Sequence, residues 1–357
     1  MNKKLLAAAL GVAFAAPAFA DSTNMVIYGR VHQSFVHTSD EAQNPEGGNF
    51  TLKNVASRLG FRGEEDLGSG LKALFGYEFG IPTDNSNVTG GFGLNGRHTY
   101  VGLSGSFGKV TIGTQDGGSA SVAPLYNQAS LIGSVSNNGG DLTTVGSDVV
   151  STAEVIAARQ RVNNSFGYET TILPGLELTA RHALTGTNDA DNGATKENGT
   201  RETEVAVGYT AGPLYIGGGL WSESSATELE NGFNGTSRPE RVVQLVSTYT
   251  LGDLKLGGIV NQVSFYGNAA NGDDNDINFA LSALYKLSSN AGVFGLVADG
   301  EDNANNNDRQ QLQLSAYYDF SKRTRSYVGF ERFNRENKTT GVETDADSIV
   351  FGLRHNF

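Results

Sequence analysis

A chain of 357 residues without cysteine has to be stabilised without disulfide bonds. Its formal net charge of −12 argues against a nucleic-acid-binding protein, because such proteins normally present a basic face. After residue 20, no apolar stretch approaches the length of about 18 residues that a membrane-spanning helix needs, so that class of protein is excluded.

The first twenty residues have the composition of a secretory signal. Two lysines form its basic region, Leu5–Ala16 its apolar region, and Ala18-Phe19-Ala20 a small-x-small cleavage motif. A transmembrane anchor is the alternative, but the apolar run is short and ends at the motif. We therefore expect export and cleavage after Ala20. This leaves one domain, residues 21–357, with a net charge of −14 once the two lysines are lost (−12 − 2).

Apolar and polar residues alternate through the rest of the chain. In LKALFGYEFGI (71–81), INFALSALYKL (277–287) and LQLSAYYDF (312–320), large apolar residues fall at almost every second position. A period of two is typical of a β-strand with two unlike faces. Each run is close to the length with which a tilted strand crosses a bilayer.

Short and long breaks separate these strands in strict alternation. The short breaks are predicted turns, at Glu64–Ser69, Ser106–Gly108, Pro174–Gly175, Gly212–Pro213, Gly252–Asp253, Ser288–Ala291 and Ser321–Thr324. The long breaks are polar loops, at 38–49, 82–95, 116–158, 187–202, 224–240, 266–275, 300–309 and 336–346. Between them lie sixteen predicted strands, at 26–37, 50–63, 70–81, 96–105, 109–115, 160–172, 176–186, 203–211, 214–223, 241–251, 254–265, 276–287, 292–299, 310–320, 325–335 and 347–357.

Turns at one rim and long loops at the other predict an all-β fold, a 16-stranded antiparallel transmembrane β-barrel. A closed barrel pairs every backbone group, as hydrocarbon demands, and sixteen strands leave room for an aqueous lumen. A soluble sandwich or propeller also alternates, but it does not predict the strict order of short and long breaks. An even strand number brings both ends to the turn side. The last strand should therefore close against the first, with Phe357 facing lipid.

Two motifs connect the chain to a known family. The segments ASRLGFRGEEDLGSGLKALFGYEFG (56–80) and HTYVGLSGSFGKVTIGTQ (98–115), together with Phe357, resemble the general diffusion porins of Gram-negative bacteria. The resemblance implies a homotrimer in the bacterial outer membrane, in contact with lipopolysaccharide and lipid and without a cofactor. It also implies a pore for small hydrophilic solutes and ions, narrowed by an inward third loop. The terminal aromatic Phe357 would be read by the barrel-insertion machinery.

The residues themselves support an inward third loop. The break at 116–158 is the longest, and loops of that length are usually functional. It contains apolar residues such as Leu131 and Ile132, which suit packing against a wall. Gly139-Gly140 permits a sharp bend in the backbone.

Alternation also predicts which charges line the lumen. Arg58 and Arg62 alternate with outward apolar residues in the second strand, and Arg30 does so in the first. All three should therefore face inward, and small residues such as Gly60 leave room for them. The alternative is a lumen arginine that pairs with a nearby carboxylate and has no influence on selectivity.

By motif position, Arg30, Arg58, Arg97 and Arg161 match the basic ladder of the family, and Arg62 extends it toward the turn rim. The resemblance places the opposing acids in the third loop. The candidates there are Asp116, Asp141, Asp148 and Glu154. Of the family pattern Pro-Glu-Phe-Gly-Gly-Asp only Gly139-Gly140-Asp141 is present, so the acidic half and the sign of the selectivity stay open. Dominant arginines would favour anions.

Other functions are weaker interpretations of the same residues. A barrel enzyme would need Ser/His or Asp/His groups gathered at one place, and the five histidines are scattered without metal spacing. A substrate-selective porin for anions such as phosphate, or for sugars, is the alternative closest to a general channel. The acidic segments 271–278 and 299–308 could bind Ca²⁺ or Mg²⁺, but they lack EF-hand spacing and read more simply as solvated loops.

Overall fold

A computed structural model describes residues 23–40, 49–83, 95–116, 161–186, 199–224, 238–266, 275–303 and 306–357. Seventeen antiparallel strands in these ranges form one sheet. They are β1 (Thr23–Asp40), β2 (Asn49–Asn54), β3 (Arg58–Gly68), β4 (Leu71–Gly80), β5 (Asn95–Gly105), β6 (Gly108–Asp116), β7 (Arg161–Leu173), β8 (Leu176–Gly186), β9 (Gly199–Ala211), β10 (Leu214–Ser224), β11 (Arg238–Leu251), β12 (Leu254–Tyr266), β13 (Asn275–Lys286), β14 (Ala291–Asp302), β15 (Asn307–Asp319), β16 (Thr324–Asn337) and β17 (Glu343–Asn356). Within the described ranges, no helix is long and apolar enough to span a membrane.

The prediction of sixteen strands is confirmed, with the second strand in two pieces. Both β2 and β3 pair with β1, and residues 55–57 separate them. The break coincides with Ala56, whose φ of +50° is a left-handed conformation that interrupts a ladder. The Ser57 hydroxyl accepts a hydrogen bond from the His32 N–H (3.0 Å) and donates one to the His32 carbonyl (3.2 Å). It thereby satisfies backbone groups of β1 at the break.

Three predicted breaks are shorter than their composition suggested. The acidic residues at the start of the proposed break Glu64–Ser69 belong to β3, and the turn to β4 is only Ser69-Gly70, both at positive φ. The proposed loops 300–309 and 336–346 shrink to 303–306 and 338–342, because β14–β17 extend into them. The polar residues of these two segments had suggested loops. A strand of the barrel needs an apolar face only where it meets lipid, so β14–β17 continue through polar residues beyond the membrane.

The outer surface is apolar and exposed. In β17, Ile349, Phe351 and Leu353 are 42%, 54% and 56% exposed, while the alternating Val350 is 1% exposed. The faces predicted from the alternation are therefore confirmed. A barrel with large apolar side chains outside and buried polar residues inside is suited to hydrocarbon, because its inner face carries the polar groups.

Tyrosines mark the turn-side border of the apolar surface. Tyr209, Tyr249, Tyr285 and Tyr318 lie one or two residues before the turn-side ends of β9, β11, β13 and β15. Their exposed fractions lie between 44% and 48%. Amphipathic rings of this kind favour the boundary between lipid and water. The row of tyrosines therefore places the turns at one membrane interface.

The last strand closes the barrel against the first, as predicted. β17 pairs with β1 along the ladder from Arg30–Asn356 to Asp40–Ala346. Beyond it, Gly29 and Phe357 exchange two backbone hydrogen bonds of 3.1 Å. The Phe357 ring is 45% exposed on the outer face and covers Gly29, where a side chain would overlap it. Closure thus leaves no free sheet edge at this seam.

Candidate functional site

The predicted basic residues of the first two strands come together on the inner wall. Arg30 of β1 and Arg58 of β3 are direct Cα partners in the ladder. Arg30 Nε also donates to Asn356 Oδ1 at 3.1 Å, which ties it to the last strand. Directly paired residues in an antiparallel ladder have Cα atoms about 4.5–5.5 Å apart. Two guanidinium groups therefore start from neighbouring points of the wall.

Glu78 of β4 is the carboxylate that organises this group. Its side chain is 6% exposed, and Oε1 accepts a hydrogen bond from Arg97 Nε at 2.5 Å and lies 4.0 Å from Arg58 Nη1. Oε2 accepts a bond from the Tyr28 hydroxyl at 3.1 Å. One carboxylate thus links residues from β1, β3, β4 and β5. Glu78 was not among the sequence-predicted acids, which all lie in the third loop, although the alternation of LKALFGYEFGI places it on the inner face between the outward Tyr77 and Phe79.

A bulge brings Arg97 of β5 opposite Glu78 of β4. In the ladder between β4 and β5, Tyr77 pairs with Thr99 and Phe79 pairs with Gly96. Glu78 therefore faces two residues of β5, and the extra residue changes the alternation. Arg97 reaches the carboxylate of Glu78 from this bulged position.

Tyr28 supports a fourth arginine, Arg62. Its ring lies over Gly60, its partner across the ladder, so that a Cβ at Gly60 would stand 2.4 Å from Tyr28 Cζ. The guanidinium carbon of Arg62 lies 5.0 Å from the centre of the same ring, within cation–π range. The expectation that Gly60 leaves room for arginines needs correction, because the tyrosine ring fills that space.

We expect replacement of Gly60 by alanine to displace the Tyr28 ring and break its bond to Glu78. Overpacking of this kind costs about 1–3 kcal/mol, so the midpoint of thermal unfolding should fall. Gly295→Ala is the matched control, because a Cβ there meets its nearest atom at an ordinary 3.5 Å. Equal unfolding temperatures for the two variants would show that the Tyr28 ring is not fixed on Gly60.

The remaining predicted residues are located only in part. The backbones of Arg161 and Asp116 are Cα partners in the ladder between β6 and β7, and their side chains lie outside the described residues. Asp141, Asp148 and Glu154, with the third loop from residue 117 onward, also lie outside them. Their roles at the pore stay predictions.

Three more buried acidic side chains lie on the far wall of the lumen. Glu202 and Glu204 of β9 and Glu223 of β10 face inward and are 1%, 2% and 4% exposed. Trp221 Nε1 donates to Glu202 Oε2 at 3.4 Å. In the strand order β9 and β10 lie roughly opposite β3 and β4. These acids were not among the sequence-predicted candidates, although the alternation of RETEVAVGY places Glu202 and Glu204 on the polar face.

The acidic outer segments engage protein groups where they are described. Asp276 Oδ1 accepts a hydrogen bond from the Asn303 N–H at 2.9 Å, and Oδ2 lies 3.9 Å from Arg309 Nη2. In the described part of the chain, no group of three or more His, Asp or Glu residues is arranged to hold a metal ion.

Comparisons with known proteins agree with this architecture. Residues 6–338 match the sequence model described as Gram-negative porin. The chain is 28% identical over 372 residues to outer membrane porin protein 32 of Delftia acidovorans, with 100% of both chains covered. It is 25% identical over 388 residues to major outer membrane protein P.IB of Neisseria gonorrhoeae, again with 100% of both covered.

Two solved structures share the fold. An anion-selective porin from Comamonas acidovorans superimposes with a TM-score of 0.70 at 22% identity, covering 94% of this chain and 100% of that one. The trimer form of OmpT from Vibrio cholerae gives a TM-score of 0.65 at 14% identity, with coverage of 94% and 100%.

Proposed function

This chain belongs to the Gram-negative porin family and is a passive diffusion channel of the bacterial outer membrane rather than an enzyme, and on that premise we propose that its pore prefers small anions. The observation that carries the proposal is the imbalance of charge around Glu78. Of the described residues, four arginines lie around this carboxylate: Arg30, Arg58, Arg62 and Arg97.

The physical basis of the preference is electrostatic. Charges that line a passage with low-dielectric walls interact more strongly with a passing ion than they would in bulk water. An anion at the arginine wall gains attraction and accepts hydrogen bonds from guanidinium groups. Glu202, Glu204 and Glu223 place negative charge on the far wall. Opposed charges across a pore orient water and dipolar solutes, and acids at that distance do not cancel the attraction close to the arginines.

The reversal potential in a salt gradient tests the preference. Purified full-length protein in a planar bilayer, with a tenfold KCl gradient, should give a potential whose sign reports chloride as the more permeant ion. Raising the salt on both sides should weaken the preference, because it screens the wall charges. A potential of the opposite sign would overturn the anion preference while leaving the channel itself intact.

Assembly and export complete the proposal. We infer a homotrimer, as in the trimer form of OmpT. Because each subunit would carry its own pore, the single-channel conductance of one inserted trimer should show three equal steps. The chain would be exported with cleavage after Ala20 and would contact lipopolysaccharide through its outer loops. The insertion machinery would read Phe357. Arg161 and the third-loop acids Asp116, Asp141, Asp148 and Glu154 remain the predicted further lining of the constriction.

A further inference from the structure

A fifth arginine lies on the same inner wall, in the last strand. Arg354 of β17 follows Ser348, Val350 and Gly352 on the inner face, opposite in parity to the exposed Leu353. Its Cα partners are His32 of β1 and Arg325 of β16. Arg354 therefore stands at the closing seam of the barrel, which connects it to the strand that carries Arg30.

The inner wall beside Arg354 is closely packed. The Tyr327 ring covers Gly352, where an added Cβ would overlap it, and the Tyr327 hydroxyl lies 2.9 Å from His32 Nε2. His32 is fully buried and Tyr327 is 4% exposed. The backbone that carries Arg354 is held by this packing, so less conformational entropy is lost when the side chain binds a ligand.

Charges of both signs lie near Arg354. Among the described residues, the guanidinium groups of Arg325 and Arg58 are close enough to repel it, and the carboxylate of Asp319 is close enough to attract it. Both oxygens of Asp319 accept hydrogen bonds from Arg325, at 2.7 and 2.8 Å. The Arg325 guanidinium also stacks on the Tyr317 ring, 3.9 Å from its centre. The negative charge of Asp319 is thus largely committed to Arg325, which leaves a local excess of positive charge.

These arginines form a stepped row along the pore. Arg325 is the second residue of β16 after the turn, and Arg354 lies two residues before the end of β17. Asn356, next on the same face, accepts a hydrogen bond from Arg30, which is the eighth residue of β1. Arg30 pairs with Arg58, which lies ten residues before the turn-side end of β3. Adjacent members therefore lie on neighbouring strands, from the turn-side mouth to the group around Glu78.

We propose that Arg354, together with Arg30 and Arg58, forms an anion-binding step on the turn side of the pore, for small oxyanions such as carboxylates and phosphate. Guanidinium groups bind these ligands with paired, charge-assisted hydrogen bonds, which chloride cannot accept in the same geometry. The inference rests on the proposed anion preference and names the class of anion that the wall retains.

The test is block of chloride current by phosphate in planar bilayers, measured with the full-length protein. Phosphate added to one side and then the other should reduce the wild-type chloride current. Arg354→Gln should weaken this block severalfold and shift the reversal potential in KCl toward cations. Arg354→Lys should keep the reversal potential and lose part of the block, because lysine keeps the charge but not the paired donors. Asp319→Asn removes a negative charge beside these arginines, so it should strengthen both the phosphate block and the preference for chloride.

Arg323→Gln is the matched control, because Arg323 is exposed in the adjacent turn. It should leave the block unchanged. The proposal is wrong if folded Arg354→Gln channels keep the wild-type block, or if Arg323→Gln weakens it equally, since the effect would then be the general field of the mouth. The wild-type reversal potential tests the proposed function separately. A cation-preferring wild type would overturn that function even if phosphate block depended on Arg354.

Discussion

Replacing Glu78 by glutamine should increase the anion preference of the pore and lower the stability of the barrel. The Glu78 carboxylate accepts hydrogen bonds from Arg97 Nε at 2.5 Å and from the Tyr28 hydroxyl at 3.1 Å, and it lies 4.0 Å from Arg58 Nη1. Glutamine has no negative charge, so the guanidinium groups of Arg58 and Arg97 lose the carboxylate that partly neutralises them. The reversal potential in a KCl gradient should move further toward chloride.

The loss of stability should be substantial for a single substitution. Breaking a buried ion pair costs about 3–5 kcal/mol. We expect the lower end of that range here, because the Arg58 side chain remains 25% exposed and can be hydrated in the lumen. Thermal unfolding of the detergent-solubilised barrel, followed by loss of β-structure in circular dichroism, measures the change.

Glu64→Gln is the matched control for Glu78→Gln. Glu64 pairs with Lys72 at 2.7 Å near the turn rim, and both side chains are more than 40% exposed. Exposed pairs contribute about 0–1 kcal/mol, so this variant should unfold close to the wild type. A Glu78→Gln barrel that is destabilised but has the wild-type reversal potential would make Glu78 a structural residue only.

Gly29→Val should sharply reduce the yield of closed barrels. A Cβ at Gly29 would stand 2.3 Å from Phe357 Cζ and 2.7 Å from the Arg58 carbonyl oxygen. The ring could move aside, but the Arg58 carbonyl belongs to the ladder and cannot. The cost should exceed the usual range of about 1–3 kcal/mol for overpacking, because it falls on the seam that closes the sheet. Refolding into detergent, followed by the electrophoretic shift between folded and heated protein, measures the yield.

Gly218→Val is the matched control for Gly29→Val. Gly218 also faces outward, on β10, and a Cβ there meets its nearest atom at 3.6 Å. It should fold with nearly the wild-type yield. If the two valine variants refold equally well, the contact between Gly29 and Phe357 does not control closure.

The period of two in the sequence was sufficient to predict the architecture. Each strand's inner and outer faces follow from its own residues, because successive side chains in a strand point to opposite sides. The outward Phe357 and the inward Arg30 and Arg58 were assigned correctly on this basis. The order of short and long breaks then implied sixteen strands and closure of the last strand on the first. The predicted positions of the breaks were least accurate where polar strands continue beyond the lipid, as at 300–309 and 336–346.

Only the tertiary structure decided which charges meet. Arg30 and Asn356 bond across 326 positions of sequence, and Arg354 reaches the arginine wall only because the barrel closes there. Arg97 reaches Glu78 through a bulge, which changes the alternation on which a sequence-based assignment depends.

The sequence by itself therefore determined the fold, its lipid face and most of the basic wall, since these depend on local alternation. The contacts of Glu78 with Arg58 and Arg97, and the stepped row to Arg354, were decided by register between strands. A single strand contains no information about which residue of a neighbour lies beside each of its own.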